Sequence, residues 1–558
     1  MADDAGTLVS LFHGQAERLA DRTCLKIKSD GQWRDVSWTE LIAQANRWAA
    51  ALVDLGVRPG DRVVILAENR IEWIVADIGL LTAAGINVPI HAPLTAKQVA
   101  YQLNDSGAAI VVVSNADQLA KLVDASAECP GVRHVVAFDA LNVPSDVRWE
   151  FHRWSDMLDA GADSPRLADM PGYGIDRVSP EDLATIMYTS GTTGEPKGVM
   201  LTHANLVSNS LASLEVFALR HDDVKLCWLP VSHIFARTAD YYATLAAGAI
   251  LALAECYETL MDNLQEVRPH LMSSVPHFYE NIVRELTERG LTEAPDALRN
   301  ILGGRMRVCV SGGAPLPPHL AEFITERGIT LLEGYGLTET SPVISSNTPD
   351  ANRIGTVGRA IPGVEVRIAD DGEVLTRGPH VMKGYWNKPE ATAETIRDGW
   401  LYTGDLGSLD EDGFLRITGR KKEIIVTAGG KNIAPRYIEH LMTEDPIIDQ
   451  AVIFGDRRKF LSALIVPNFE MLGPEAEKIG VNGQTPDELV ADPNIYTLIE
   501  QRVMRALSEV SKYEQVRKFV LLARPFTIQA GELTPTLKVR REQVYQRYRE
   551  RIDALYDA

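Results

Sequence analysis

The stretch Tyr188-Thr-Ser-Gly-Thr-Thr-Gly-Glu-Pro-Lys-Gly198 decides how the rest of the chain is read. Its eleven residues hold three Gly, four Ser or Thr, one Pro and one Lys. The apolar run Leu183-Ala184-Thr185-Ile186-Met187-Tyr188 leads into it and has the texture of a buried strand. Small residues let a backbone approach a ligand closely, and exposed N–H groups, hydroxyls and one ammonium together make an anion cradle. A surface turn accounts for most Gly/Ser-rich stretches, but this loop also carries a Lys and follows a buried-looking strand. The loop therefore reads as a holder of nucleotide phosphates, through Thr189, Ser190, Gly191, Thr192, Thr193, Gly194 and Lys197. It is not the G-x-x-x-x-G-K-[ST] loop, because Pro196 stands where that pattern needs its second Gly and Gly198 where it needs a hydroxyl.

Composition narrows the partners. The chain has 558 residues, 45% hydrophobic and 24% charged, a globular balance with room for several domains. A net charge of −20 argues against nucleic acid, whose phosphates need clustered Lys and Arg, and leaves room for ATP. Cys24, Cys129, Cys227, Cys256 and Cys309 show no spacing for zinc or disulfides, which suits a reduced cytoplasmic protein. The acidic start MADDAGTLVSLF lacks the basic region of a secretory signal. The longest apolar run, Ala243 to Ala254, falls short of the ~20 residues of a membrane span and reads as core. Peripheral attachment at the inner membrane surface is compatible with this composition.

Along the chain, residues 1–60 read as helical, with Leu41, Ala45, Trp48, Ala49 and Leu52 on one face. Strand-like Arg62–Ala67, Asn87–Ile90 and Ala109–Val113 alternate with helical Ile71–Leu81 and Val99–Leu103, the pattern of a doubly wound sheet. Residues 141–180 read as a connection. A helix is expected from Thr202 to Leu219, then a second α/β set through Val310. Beyond residue 351, Val364–Ile368 and Gly372–Thr376 suggest hairpins of a small barrel or curved sheet. From about 420 an α+β unit pairs Gln450–Phe454 with Ser462–Val466 and carries a helical insertion at 470–500.

Three further clusters bear chemistry. In Leu332-Glu-Gly-Tyr-Gly-Leu-Thr-Glu-Thr340, two glycines flank an aromatic suited to stacking on a purine, and Glu339 offers the hard oxygen that Mg²⁺ on ATP phosphates takes. Asp398 to Lys422 contains Thr403-Gly404-Asp405, a turn by itself, although two carboxylate oxygens also suit a cis-diol. A Lys lies in the Pro-containing segment Gly531-Glu-Leu-Thr-Pro-Thr-Leu-Lys-Val-Arg540, near the C-terminus.

The loop, these clusters and their order resemble the adenylate-forming enzymes, and within them the AMP-forming long-chain fatty-acyl-CoA synthetases, over residues 35 to 545. The resemblance implies an α/β protein. Its large N-terminal domain, residues 1–420, has doubly wound α/β subdomains plus a small β-barrel, and its small mobile α+β C-terminal domain spans residues 421–558. It implies nucleotide contacts at Gly312, Gly313, Ala314, Glu333, Gly334, Tyr335, Gly336 and Thr338, ribose contacts at Asp405 and Arg420, and Mg²⁺ at Glu339. It places the hinge at Lys422 and the pantetheine path at Gly429 and Gly430, and makes Lys538 the lysine of adenylate formation. Lys197 becomes an accessory clamp, and His233 lies near the acyl carbonyl. Trp228–Arg237 and Val275–Ile282 resemble acyl-tunnel segments, and each reads equally well as core. The implied activity joins a fatty acid to coenzyme A with ATP. The alternatives are a fatty-acyl-AMP ligase serving a carrier protein, a luciferase-type oxygenase and a non-catalytic adenylate-binding scaffold.

Overall fold

Runs that are apolar at every position form parallel strands covered on both faces. The computed structural model describes residues 6–29, 31–142, 147–163, 177–189, 195–294, 296–429, 431–481, 485–527, 529–533 and 539–557. Its larger compact unit comprises Met1–Leu316, Leu320–Arg367 and Leu375–Tyr402. There such runs build the central strands of two large sheets. One has eight strands, in the order Gly384–Tyr385, Lys197–Thr202, Leu183–Thr189, Ile86–Ile90, Arg62–Leu66, Ile110–Val113, His134–Ala137, Glu150–Arg153. The last six are parallel, and the first two run antiparallel to their neighbours. The other has nine strands, with Thr330–Gly336, Val308–Ser311, Leu271–Ser274, Val224–Cys227, Ile250–Leu253 and Thr23–Ser29 parallel in that order.

Alternate residues of each strand feed opposite layers. Val63 and Ile65 join the largest core cluster, which also takes Leu25, Cys227 and Leu251 from the other sheet, so that cluster lies between the sheets. Val64 and Leu66 face outward onto helices Ala96–Ser106 and Ala116–Asp124. Helices Trp38–Asp54 and Ile71–Thr82 contribute Leu41, Ala45, Trp48, Leu52, Trp73 and Ile78 to the central layer. A π-helix, Ala236–Tyr242, is wholly buried there. It carries Arg237, which ion-pairs with Asp77 and donates through Nη1 to Thr185 Oγ1 at 2.9 Å and through Nε to the Tyr242 hydroxyl at 2.7 Å. Burial pulls the Arg237 guanidinium down, but Asp77 and the tyrosines outweigh it and hold it above its ordinary value.

Two expectations fail. Residues 1–60 are not continuously helical, because the antiparallel hairpin Thr23–Ser29/Gln32–Ser37 separates helix Leu8–Leu19 from helix Trp38–Asp54 and extends the nine-stranded sheet. Residues 141–180 are more than a connection, since Glu150–Arg153 is the edge strand of the eight-stranded sheet and Trp154–Asp163 is a helix packed on Trp38–Asp54, with Trp48 and Trp154 rings 4.6 Å apart. The run Ala243–Ala254 is core as expected, split by left-handed Gly248 into the helix Ala243–Ala247 and the strand Ile250–Leu253.

Where hairpins of a small barrel are expected, Glu365–Ile368, Glu373–Arg377, Ile396–Arg397, Trp400–Leu409 and Leu415–Arg420 supply five short strands. The smaller compact unit comprises Pro317–His319, Ile368–Val374 and Thr403–Ala558. In it, Ile448–Phe454 pairs antiparallel with Leu461–Pro467, which pairs parallel with Val516–Leu521. Helices Phe469–Lys478, Pro486–Ala491 and Pro493–Ala506 form the insertion between Leu461–Pro467 and Val516–Leu521 and share one core with this sheet and helix Pro435–Thr443. No helix among the described residues is long and apolar enough to cross a membrane.

Candidate active site

The site in the larger unit is built where an antiparallel hairpin closes one side of the eight-stranded sheet. Strands Leu183–Thr189 and Lys197–Thr202 pair so that Thr189 stands opposite Lys197 and Tyr188 opposite Gly198. The ladder thereby fixes both ends of the Ser/Thr/Gly loop. Ser190, Gly191, Thr192, Thr193 and Gly194 lie outside the described residues. The base of the loop is tied down by Tyr101, whose hydroxyl donates to the Pro196 carbonyl at 2.9 Å, and by Tyr188, whose hydroxyl donates to Asp105 at 2.7 Å.

Lys197 is the first residue of its strand, and its neighbour on the other side is the short strand Gly384–Tyr385. The Lys197 ammonium lies 4.7 Å from the centre of the Tyr385 ring, a cation–π distance. The Tyr385 hydroxyl donates to Glu339 Oε1 at 2.8 Å. Burial, and then the Glu339 carboxylate, push the Tyr385 phenol well above its ordinary range, so it stays protonated and donating. A tyrosine thus joins the lysine at the loop's exit to the carboxylate of the second motif. The sequence reading missed Tyr385, and its only signal is Gly384, where a Cβ would come within 2.7 Å of Thr392.

Glu339 sits in a 3₁₀ turn, Thr338–Thr340, that follows strand Thr330–Gly336. Three residues hold the turn. Thr340 Oγ1 accepts the Leu337 N–H at 2.9 Å and donates to the Pro342 carbonyl at 2.6 Å. Asn209 donates to the Val343 carbonyl at 2.8 Å and accepts the Val343 N–H at 3.1 Å. Met382 N–H donates to the Glu339 carbonyl at 2.9 Å. Gly336 is demanded by packing, since a Cβ there would lie 1.8 Å from the Pro342 carbonyl oxygen. Gly334 has no such crowding, and Tyr335 between them is half-buried.

The Gly312-Gly313-Ala314 loop follows strand Val308–Ser311 and is tied to the second motif by Glu333, whose Oε1 accepts the Leu316 N–H at 3.1 Å. Gly313 has φ +80°, a conformation that favours glycine. Gly312 lies against Phe235, whose ring would stand 3.0 Å from a Cβ. His233, two residues before Phe235, is exposed, and its Nδ1 accepts the Phe235 N–H at 3.3 Å. In the two segments compared with an acyl tunnel, Ile234, Ala236, Phe278 and Ile282 are core, while His277 is exposed and pairs with Glu280 at 3.2 Å.

The smaller unit carries the remaining described residues. Asp405 and Arg420 face each other across the hairpin Trp400–Leu409/Leu415–Arg420, with Arg420 Nε 2.9 Å from Asp405 Oδ1. Lys422 is exposed in the turn Lys421–Glu423. Gly429 is exposed in a turn closed by Thr427, whose N–H donates to the Lys431 carbonyl at 3.0 Å. Gly430 and Lys538 lie outside the described residues.

Glu339 presents a carboxylate oxygen of the kind a hard cation takes. Tyr385 occupies Oε1, and Oε2 has no hydrogen-bond partner among the described residues. One free carboxylate oxygen fits Mg²⁺ arriving on phosphates, because that ion keeps most of its shell as phosphate oxygens and water.

Doubly wound sheets, with Lys197 at the exit of a Ser/Thr/Gly-rich sequence and joined through Tyr385 to the Glu339 carboxylate, mark a nucleotide-handling enzyme. Residues 12–386 match the family model described as AMP-binding enzyme, and residues 422–558 match that of the AMP-binding enzyme C-terminal domain. The chain belongs to the AMP-binding, adenylate-forming enzyme family. It is 36% identical to the long-chain-fatty-acid–CoA ligase FadD15 of Mycobacterium bovis, over 95% of this chain and 93% of that one. It is 31% identical to the long-chain-fatty-acid–CoA ligase ACSBG2 of Xenopus laevis, over 99% of this chain and 84% of that one. ATP-bound MatB from Rhodopseudomonas palustris superposes with a TM-score of 0.76 at 27% identity, covering 97% of this chain and 99% of that one. The anthranilate CoA ligase AuaEII in complex with anthranoyl-AMP shares the fold with a TM-score of 0.81 at 21% identity, covering 99% and 100%.

Proposed function

We propose that this protein is an AMP-forming long-chain fatty-acid–CoA ligase. A fatty carboxylate oxygen attacks the α-phosphorus of ATP, the bond to the β-phosphate breaks, and acyl-adenylate and pyrophosphate form. The thiol of coenzyme A, losing its proton, then attacks the acyl carbonyl, and AMP leaves with the bonding pair. The nucleophiles belong to the substrates, so the protein's work is positioning and charge stabilisation.

The observation that carries this reading is the Lys197–Tyr385–Glu339 series at the base of the loop, in a chain aligned nearly end to end with named fatty-acid ligases. Thr189, Ser190, Thr192, Thr193 and Lys197 take the leaving phosphates. The Gly312–Ala314 loop and Tyr335 take the adenine, and Asp405 and Arg420 the ribose. Glu339 would hold Mg²⁺, which neutralises phosphate charge when bound. Lys538 stabilises adenylate formation, with Lys197 an accessory. We place the domain boundary at residues 420/421, the hinge of a mobile C-terminal domain at Lys422 and the pantetheine path at Gly429 and Gly430. His233 is assigned to the acyl carbonyl, and its exposure is compatible with that. The setting we assign is the cytoplasm, with peripheral association at the inner membrane surface.

The test is AMP release with coenzyme A across carboxylic acids from acetate to long chains, with aryl acids and a holo-carrier protein as further arms. Turnover that rises with chain length and requires coenzyme A is the expected result. Turnover only with the carrier protein, or only with short or aryl acids, rejects the assignment.

A further inference from the structure

Away from the nucleotide site, the far edge of the eight-stranded sheet gathers two imidazoles and a carboxylate. His134 begins the strand His134–Ala137, and Glu150 begins the parallel edge strand Glu150–Arg153. The register pairs His134 with Glu150 and Val136 with His152. Side chains alternate along a strand, so His134, Glu150 and His152 share one face. Val135 and Phe151 project to the other, into the outer core cluster.

His134 Nδ1 lies 3.2 Å from His152 Nε2. Glu150 places one carboxylate oxygen 3.6 Å from His134 Nδ1 and the other 4.0 Å from His152 Nε2. Ligand atoms held about 2.0–2.1 Å from a tetrahedral zinc ion stand about 3.3 Å from one another. The two nitrogens are therefore already at a coordination edge, and the carboxylate, with one oxygen nearest each nitrogen, has to turn and close to bring a single oxygen onto both. Its side chain is 69% exposed, which leaves it room to do so. Among the described residues this is the one group of three His, Cys, Asp or Glu side chains whose ligand atoms converge in this way.

We propose that His134, Glu150 and His152 form a surface site for a divalent transition-metal ion, zinc foremost, with water completing the shell. Two imidazole nitrogens and one carboxylate oxygen suit zinc, cobalt, nickel or copper, whereas magnesium and calcium favour oxygen alone. The site's consequence is mechanical. Glu150–Arg153 is four residues long and, among the described residues, is paired on one side only, by His134–Ala137. A bridging ion ties this edge strand to its neighbour, and with it the helix Trp154–Asp163 that follows directly. The site is independent of the ligase assignment.

The experiment uses the full chain, stripped of metal and free of nucleotide, titrated with Zn²⁺ against a chromogenic chelator and separately with Co²⁺. One equivalent of Zn²⁺ binds and raises the thermal midpoint, and Co²⁺ gives the intense visible bands of a four-coordinate ion, which excess Mg²⁺ leaves in place. His134→Ala and His152→Ala each weaken Zn²⁺ binding by at least about tenfold and abolish the Co²⁺ bands. Cys256→Ser, which removes the exposed thiol, changes neither. Glu150→Gln at the exposed position serves should the histidine variants fail to fold, and it alters the Co²⁺ spectrum. Absence of stoichiometric binding, an unchanged spectrum in Glu150→Gln, or loss of binding in Cys256→Ser overturns the proposal and leaves a hydrogen-bonded histidine pair beside a carboxylate.

Discussion

At the scale of single residues, Tyr385 links the two motifs that the sequence presents separately. Its ring faces the Lys197 ammonium and its hydroxyl donates to Glu339. Tyr385→Phe keeps the first contact and loses the second. A hydrogen bond to a charged group contributes ~1.5–3 kcal/mol, so fatty-acid-dependent pyrophosphate exchange is expected to slow by about tenfold or more, and Tyr385→Leu to slow it further. Exchange at the wild-type rate in Tyr385→Phe removes the tyrosine from the site. Lys197 and Glu339 were legible because each lies in a run of unusual composition. Tyr385 was not, because its role arises only when Gly384–Tyr385 pairs with Lys197–Thr202. Two buried histidines set a pH dependence at the same scale. His203, 1% exposed, accepts the Leu8 N–H through Nδ1 at 3.3 Å, and His380 lies 3.0 Å from Thr376 Oγ1. Burial lowers both from 6.5 to about 4. The unfolded chain therefore takes up protons near pH 6.5 that the folded chain refuses until about pH 4. Stability is flat above that window and falls on acidification through it, by about 2 kcal/mol for each histidine at pH 5. Urea midpoints at pH 7 and 5 should show the fall, and His203→Asn should flatten it. An equal fall in the variant assigns the effect to other groups.

At the scale of elements, the sequence was most legible where each strand is covered on both faces, as at Val63–Leu66 and Ile110–Val113, since unbroken apolar runs have few other uses. It was least legible at Thr23–Ser37. Leu25 and Ile27 alternate there with Lys26 and Lys28 around Asp30-Gly31, a recognised hairpin dipeptide, but flanking helical periodicity on both sides masks the short alternation. Glu150–Arg153 was hidden for another reason. It is an edge strand with exposed Glu150 and Arg153, so its composition looks like a loop, and only its pairing with His134–Ala137 makes it a strand. Helix packing turns on small residues that composition undervalues. Gly79 lies where helix Ile71–Thr82 meets helix Trp38–Asp54, and a Cβ there would stand 2.4 Å from the Ala45 carbonyl oxygen and 2.8 Å from Trp48 Cδ1. Ala is the better helix former, yet the clash involves backbone and a buried indole that cannot easily yield. Gly79→Ala is expected to destabilise the protein by about 1–3 kcal/mol in denaturant titration. A gain in stability would show that the two helices separate freely.

At the scale of the whole molecule, two half-reactions have to be served by one set of motifs, and the division of labour is testable. If Lys538 neutralises charge as the acyl-phosphate bond forms, Lys538→Ala loses adenylate formation while still converting supplied acyl-adenylate to thioester. Lys197→Ala slows the first half-reaction less than Lys538→Ala, because its ammonium is shared with the Tyr385 ring and acts on the leaving group. The reverse order exchanges the two roles. The hinge proposed at Lys422 has a structural rationale within the smaller unit. Lys421 is held by Asp371 at 2.5 Å and by Glu373 at 2.7 Å. Glu423 is held by Arg436 Nη2 at 2.7 Å. Lys422 stands between these anchors, exposed and with no hydrogen bond or ion pair from its side chain among the described residues. A backbone pinned on both sides concentrates rotation at the one residue left between. Proline fixes φ near −65° and so removes that freedom while deleting no contact of the lysine side chain. Lys422→Pro should therefore retain pyrophosphate exchange within about a factor of two or three while thioester output falls by at least about tenfold, the split expected when only the conformational step is blocked. Parallel loss in both assays would mean that the substitution damages the adenylation site itself, and Lys422 would then be a structural residue of the turn and no hinge.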